Sequence, residues 1–168
     1  GKLINIRLRT KFNRNIFKWK FNIMSTSKVL EEANSIAEKI AIFNQSDENP
    51  YHLIAKKILD KSIKHIVTIA RGTSDCAALY ASYLFAKALG LTTYSLPPSI
   101  ITLENSNFDF SNTLVLVISQ SGLSEDLIQC EKASRIMGAE TVILTNNLNS
   151  PMIKNANYFF NINAGIEV

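Results

Sequence analysis

Hydroxyl and amide side chains gather at two places where an apolar run gives way to a helix-like pattern. Residues 117–127 read VISQSGLSEDL, so a buried strand runs into a polar cluster at residues 119–122. Residues 66–75 read IVTIARGTSD and repeat the arrangement at residues 72–75. Because the start of a helix presents unpaired N–H groups and a partial positive charge, both turns favour an anion such as phosphate.

The side chains of these turns suit a phosphate group with neighbouring sugar hydroxyls, since they are neutral groups that donate and accept hydrogen bonds. The candidate binding residues are Thr73, Ser74, Ser119, Gln120, Ser121 and Ser124. Gly72 and Gly122 allow the backbone to approach a ligand closely. Simple helix capping is the alternative explanation of each turn, because Ser and Thr are common N-cap residues.

The charge of the chain is unevenly distributed. Its 168 residues carry a net charge of +4, with 46% hydrophobic and 19% charged residues, which is typical of one globular domain. Seven of the 18 basic residues lie in residues 1–23, which leaves 11 basic and 14 acidic residues in residues 24–168. This mildly acidic body argues against a nucleic-acid partner. No apolar run reaches the roughly 20 residues of a membrane-spanning helix, so we expect no membrane partner.

Residues 1–23 have two interpretations. They form a basic arm or organellar transit peptide, or they are a disordered or non-native extension ahead of a start at Met24. The segment contains no Ser, which favours the second interpretation. We therefore expect a single domain at residues 24–168.

Strand-like and helix-like runs alternate after residue 64, which predicts an α/β fold with a parallel sheet and helices on both faces. Strands are expected at 65–70, 92–96, 113–119, 141–145 and 157–162. Helices are expected at 28–43, from Pro50, at 75–89, at 124–137 and from Ser150, whereas residues 99–112 are left unassigned. Since ligands bind beyond the carboxyl ends of parallel strands, the two polar turns should lie at one edge of the sheet.

The expected helix at 77–89 is apolar on almost every side. A single sheet covers only one face of a helix, so the other face implies a second domain or a second copy of this chain. Cys76 and Cys130 lie on different expected helices, without the spacing of a metal site or redox pair. They are expected to be buried free thiols in a reducing cytosol.

Four segments, in this order and spacing, resemble the SIS (sugar isomerase) domain: ARGTSD, ISQSGLSEDL, ILTNNLNSP and AGIEV. The likeness is greatest to the isomerase part of glutamine–fructose-6-phosphate aminotransferase and to SIS-type glucosamine-6-phosphate deaminases. The resemblance implies a three-layer sandwich with a five-stranded parallel sheet, and it implies no metal or organic cofactor. The free thiols add the expectation of a cytoplasmic protein. The six candidate residues match phosphosugar-binding positions of the family. Ile166 departs from the family's usual Pro, although Glu167 is in place.

The resemblance also implies what the chain lacks. Related enzymes carry two SIS copies, with most of their acid–base residues in the second copy and the tail. We therefore expect this chain to bind a hexose 6-phosphate, as a homodimer or paired with a second SIS domain, without the full catalytic set of an isomerase or deaminase. Glu104 and Glu167 are weak catalytic candidates, and His52 and His65 are expected to be structural or surface residues. A non-catalytic sugar-phosphate-sensing module and a degenerate fragment of a split gene remain alternatives.

Overall fold

The chain folds as a five-stranded parallel sheet with helices on both faces. The computed structural model describes residues 35–41 and 50–165. Its strands are β1 (His65–Ala70), β2 (Thr92–Ser95), β3 (Thr113–Ser119), β4 (Glu140–Thr145) and β5 (Tyr158–Asn161). Its helices are α1 (described over residues 35–41), α2 (Tyr51–Leu59), α3 (Thr73–Leu89), α4 (Pro98–Thr102) and α5 (Glu125–Ile136). The strand order is β2-β1-β3-β4-β5, and every neighbouring pair is parallel.

The sheet is the centre of the core, because alternate side chains of its inner strands face opposite helical layers. One face packs against α4 and α5 through Val67, Ile69, Val115, Val117, Ile143, Leu127 and Cys130. The other face packs against α2 and α3 through Ile66, Leu114, Val142, Phe160, Ile54, Ile58 and Phe85. Burying an aliphatic side chain of this size contributes about 1.5–3 kcal/mol, so the two-sided burial of β1 and β3 explains why their sequences are mainly apolar.

The expected strands are all confirmed, with ends that shift by no more than one residue. The helix expected at 75–89 begins earlier, at Thr73, and ends before Gly90, which takes the left-handed conformation of a helix C-cap. The helix expected from Ser150 is wrong, because residues 151–155 form turns. A short helix, α4, occupies part of the unassigned segment. The helix expected at 28–43 is confirmed over residues 35–41; its remainder and the domain boundary at Met24 lie outside the described residues.

Helix α3 presents an uncovered apolar surface. Ala78 and Ser82 are buried against the sheet, whereas Leu79, Tyr80 and Tyr83 are each more than 60% exposed. In the part of the chain that the structure describes, no helix is long and apolar enough to cross a membrane.

The two thiols differ in burial. The expectation that both are buried is wrong for Cys76, which is exposed in the first turns of α3. Cys130 is buried on α5, where desolvation, with a smaller contribution from Asp126, raises the pKa of its thiol to about 12.

Candidate functional site

The two polar turns lie side by side at the ends of β1 and β3, where the strand order of the sheet changes direction. Strand β1 lies beside β3, and Ala70, the last residue of β1, pairs with Ile118 near the end of β3. The connection from β1 leads towards β2 on one side, whereas the strands after β3 follow on the other side. Such a switch point leaves a crevice outside the carboxyl ends of the strands, where α/β proteins bind ligands. The expectation that both turns share one edge of the sheet is therefore confirmed.

The turn after β3, here called the β3–α5 turn (residues 119–124), is organised by its own serines. The Gly122 N–H donates to Ser119 Oγ at 3.1 Å, and the Leu123 N–H donates to Ser121 Oγ at 3.3 Å. Both serine oxygens are thus used as acceptors by the backbone. Since a hydroxyl also carries one donor, each O–H remains available for a ligand.

Side chains at the end of β4 and just after it hold the β3–α5 turn in place. Ser150 Oγ donates to the Gly122 carbonyl at 2.7 Å, and Asn147 Nδ2 donates to the Ser121 carbonyl at 2.8 Å. Thr145 Oγ1 donates to the Gln120 carbonyl at 3.3 Å. Sequence reasoning missed these supports, because the polar run after β4 was used only for the family resemblance.

Gly122 is fixed by both conformation and space. Its φ is +64°, in the left-handed region that favours glycine. A Cβ at this position would lie 2.6 Å from Ser150 Cβ and 2.7 Å from Thr145 Oγ1. The close approach lets Ser150 reach the Gly122 carbonyl, so the glycine is a requirement of the bracing as well as of the turn.

The turn after β1, here called the β1–α3 turn (residues 71–74), is much less constrained. Gly72 has φ of +57° and ψ of −135°, but a Cβ there would meet nothing within 4 Å. Thr73 and Ser74 lie in the first turn of α3, and neither hydroxyl forms a hydrogen bond with a described residue. Their hydroxyls are therefore open to a ligand at the switch point.

Both helices at the switch point begin without a side-chain cap. Ser124 is the N-cap residue of α5, yet its hydroxyl makes no capping hydrogen bond. The N-cap residue of α3 is Gly72, which has no side chain that could cap the helix. The Gln120 amide group likewise has no hydrogen-bond partner among the described residues. Because no side chain caps these helix starts, their first-turn N–H groups can interact with an anion.

A cavity of about 510 Å³ opens beside the β1–α3 turn. Thr73 and Ser74 form part of its wall, and Ile118 and Leu144 belong to the sheet beneath it. Helix α1 contributes Lys39, the one charged residue among the described residues that line it. Sequence reasoning missed Lys39, because a lysine on an amphipathic helix carries no motif that marks it as a cavity residue. The size falls within the roughly 300–1,000 Å³ that is usual for small-molecule sites.

Neither weak catalytic candidate lies among the described residues that line this cavity. Glu104 is exposed after α4 and is absent from the cavity wall, and Glu167 lies outside the described residues. His52 lies on α2, and His65 begins β1 at the opposite edge of the sheet from the turns. In residues 35–41 and 50–165, no cluster of three or more His, Cys, Asp or Glu side chains could hold a metal ion.

Comparison with known sequences yields relatives of one kind. The chain is 36% identical over 118 residues to the glutamine–fructose-6-phosphate aminotransferase (isomerizing) of Sulfolobus acidocaldarius, which covers 69% of this chain and 19% of that protein. The enzyme of the same name from Methanococcus maripaludis is 28% identical over 141 residues, covering 84% and 22%. The chain spans about a fifth of the length of these curated relatives.

Solved structures share the fold, and a family model matches the chain. A Silicibacter pomeroyi protein assigned as a phosphosugar isomerase has a TM-score of 0.73 and 31% identity, covering 82% of this chain and 42% of that one. The C-terminal domain of glucosamine-fructose-6-phosphate aminotransferase from Francisella tularensis has a TM-score of 0.71 and 24% identity, covering 86% and 43%. The model of the SIS domain matches residues 60–168, more than half of the chain. The chain therefore belongs to the SIS domain family and is related to the glutamine–fructose-6-phosphate aminotransferases.

Proposed function

We propose that this chain binds a hexose 6-phosphate, such as glucosamine 6-phosphate or fructose 6-phosphate, at the switch point. The observation that carries the proposal is the donor arrangement of the β3–α5 turn. Ser119 and Ser121 already accept hydrogen bonds from backbone N–H groups, so their own hydroxyl protons are available for a ligand oxygen. A phosphate group accepts several hydrogen bonds and is favoured by the positive end of α5.

The remaining candidate residues complete this phosphate and sugar site. Gln120 and Ser124 have side chains without described partners on the same turn, and Thr73 and Ser74 line the cavity beside the neighbouring strand end. The cavity over Ile118 and Leu144 receives the sugar carbons, because its wall is mainly apolar. The names of the relatives, which contain fructose 6-phosphate and phosphosugar, agree with this ligand class.

In this proposal, the domain is part of an amino-sugar isomerase or deaminase. Isomerisation moves a proton between C1 and C2 of an opened sugar, and deamination also releases ammonia. Both reactions need an acid or base within hydrogen-bond reach of those carbons. The described residues place no histidine at the switch point, so the chain by itself binds the sugar phosphate without turnover. Glu104 and Glu167 are the glutamate candidates for this role, although Glu104 is not part of the cavity wall.

Calorimetry with purified chain tests the binding proposal. Glucosamine 6-phosphate and fructose 6-phosphate should bind, whereas glucosamine and fructose should not. The double variant Ser119→Ala/Ser121→Ala should weaken binding by about 1–3 kcal/mol, because two hydrogen bonds to the ligand are lost. Equal affinity for a sugar and its 6-phosphate would contradict a phosphate site.

Turnover assays test the missing catalytic set. The chain should neither interconvert glucose 6-phosphate and fructose 6-phosphate nor release ammonia from glucosamine 6-phosphate. Each general acid or base typically contributes about 10²- to 10⁴-fold, so its absence leaves little rate. Turnover near one per second that Glu104→Gln or Glu167→Gln abolishes would overturn this part of the proposal. Saturable binding without turnover fits the sensing alternative as well.

The outer surface of α3 supports a further part of the proposal, which concerns assembly and location. Leu79, Tyr80 and Tyr83 pack against a second copy or a second SIS domain, since an apolar helix face of this kind is normally covered. Sedimentation should show a dimer that Tyr80→Ser/Tyr83→Ser dissociates; a monomeric parent chain would contradict it. Both cysteines are free, which agrees with a cytoplasmic location.

A further inference from the structure

An ion pair joins the two turns across the switch point. Arg71 is the first residue after β1, and Asp126 lies in the first turn of α5. Arg71 Nη1 lies 3.1 Å from Asp126 Oδ2. The arginine side chain is 63% exposed and the aspartate side chain 23% exposed, so the guanidinium is accessible while its partner is mostly covered.

The geometry puts the guanidinium over the start of α5. Ala70 and Ile118 are register partners, and neighbouring strands lie about 4.8 Å apart, so Arg71 and Ser119 leave the sheet one strand spacing from each other. Contact with Asp126 brings the arginine head to the first turn of α5. This is the helix start whose first-turn N–H groups have no side-chain cap.

The pair is poorly explained as a structural tie alone. Exposed ion pairs contribute little to stability, since solvent screens them and long side chains lose freedom. Arginine offers five N–H donors in a fixed fork that matches phosphate oxygens, and one carboxylate contact leaves most of them unused. A phosphate at the start of α5 would meet these donors directly.

We propose that Arg71 is a specificity-determining residue that selects a doubly charged phosphate group on the sugar, with Asp126 as the carboxylate that holds its guanidinium when no ligand is bound. The inference rests on the proposed sugar-phosphate function and adds a cation to its neutral donors. Asp126 competes with the phosphate for Arg71, so it limits affinity while it positions the side chain. Glu125, its neighbour in the same helical turn, is exposed and has no such contact with Arg71.

Binding of a matched ligand pair tests the inference at pH 7.5. Glucosamine 6-phosphate is mostly a dianion there, because the second pKa of such phosphates is about 6, whereas glucosamine 6-sulfate is a monoanion. Arg71→Gln should lower affinity for the phosphate about tenfold, as expected for a charge-assisted hydrogen bond, and should affect the sulfate less. The ratio of the two affinities is the readout that a purely structural role would not move.

Two variants that neutralise neighbouring acidic residues provide the control. Asp126→Asn should raise affinity for the phosphate about threefold, because a like charge is removed and Arg71 is released, whereas Glu125→Gln should change it less than about twofold. In the Arg71→Gln background, the gain from Asp126→Asn should fall to that of Glu125→Gln. This pair of variants also decides the question if Arg71→Gln fails to fold.

The outcomes separate the inference from the function on which it rests. An Arg71→Gln variant with the parent ratio of phosphate to sulfate affinity would overturn the role of Arg71 and leave the phosphate site intact. Equal gains from Asp126→Asn and Glu125→Gln would overturn it too. A parent chain that binds neither ligand would overturn both the proposed function and this inference.

Discussion

The two turns at the switch point differ in how they are held, although each follows a central strand and starts a helix. The β3–α5 turn receives three hydrogen bonds from side chains at the end of β4 and just after it, and two of its serines bond its own backbone. The β1–α3 turn contains a backbone hydrogen bond from the Asp75 N–H to the Gly72 carbonyl at 3.1 Å, and it carries the Arg71 ion pair. Its hydroxyls have no described partner.

This difference indicates that the two turns have different roles in binding. Donors that are fixed before the ligand arrives lose little freedom when it binds, so the β3–α5 turn is suited to hold the phosphate. Donors that are free before binding can adjust their positions. Thr73 and Ser74 are therefore suited to a ligand that the β3–α5 turn already holds in place. Substitutions in the two turns should therefore separate stability from binding.

The largest expected effect is at the glycines. Gly122→Ala should lower the free energy of unfolding by about 2–5 kcal/mol, because it combines backbone strain with a clash against Ser150 and Thr145. Gly72→Ala is the matched control, because Gly72 has a similar positive φ, +57° against +64°, with open space around it. It should cost only the strain, about 1–3 kcal/mol. Urea unfolding of both variants measures the difference. Equal losses would break the comparison, since they would mean that the bracing adds nothing.

The next largest effect concerns the bracing hydrogen bond itself. Ser150→Ala should cost about 1–3 kcal/mol of stability, because the buried Ser150 hydroxyl donates to the Gly122 carbonyl and accepts from the Met152 N–H. Asn149→Ala is a control on the same loop, where the side chain is exposed. Thermal unfolding should show a clear loss for Ser150→Ala and little change for Asn149→Ala. A Ser150→Ala variant as stable as the parent would show that the turn is held by other means.

Much of the fold could be predicted from the sequence, for a physical reason. Central parallel strands are buried on both faces, so β1 and β3 appear as runs dominated by Val, Ile and Leu. Gly90 ends α3 where a left-handed residue is needed. The helix expected from Ser150 failed because Ser and Pro also start turns. Here Ser150 is used to brace Gly122, and local sequence does not contain that long-range contact.

The site was predictable only in part. Hydroxyls next to strand ends are visible in the sequence, and the sheet order then brings both sets to one edge. Lys39 and Asp126 depend on how helices pack against the turns, and no pattern in their own segments marks them. Whether the six candidate residues bind a ligand stays a prediction.

The smallest expected effect compares one serine from each turn. Ser74→Ala should weaken binding of glucosamine 6-phosphate by about 0.5–1.5 kcal/mol, since one ligand hydrogen bond is lost, and should leave stability unchanged because the Ser74 hydroxyl bonds no described residue. Ser119→Ala should weaken binding and also cost about 1–3 kcal/mol of stability, because the buried Gly122 N–H loses its acceptor. Calorimetry and urea unfolding on the same two preparations give both quantities. If Ser74→Ala lowers stability as much as Ser119→Ala does, then the β1–α3 turn is also held by its side chains, and the proposed division between a preset and an adjustable turn is wrong.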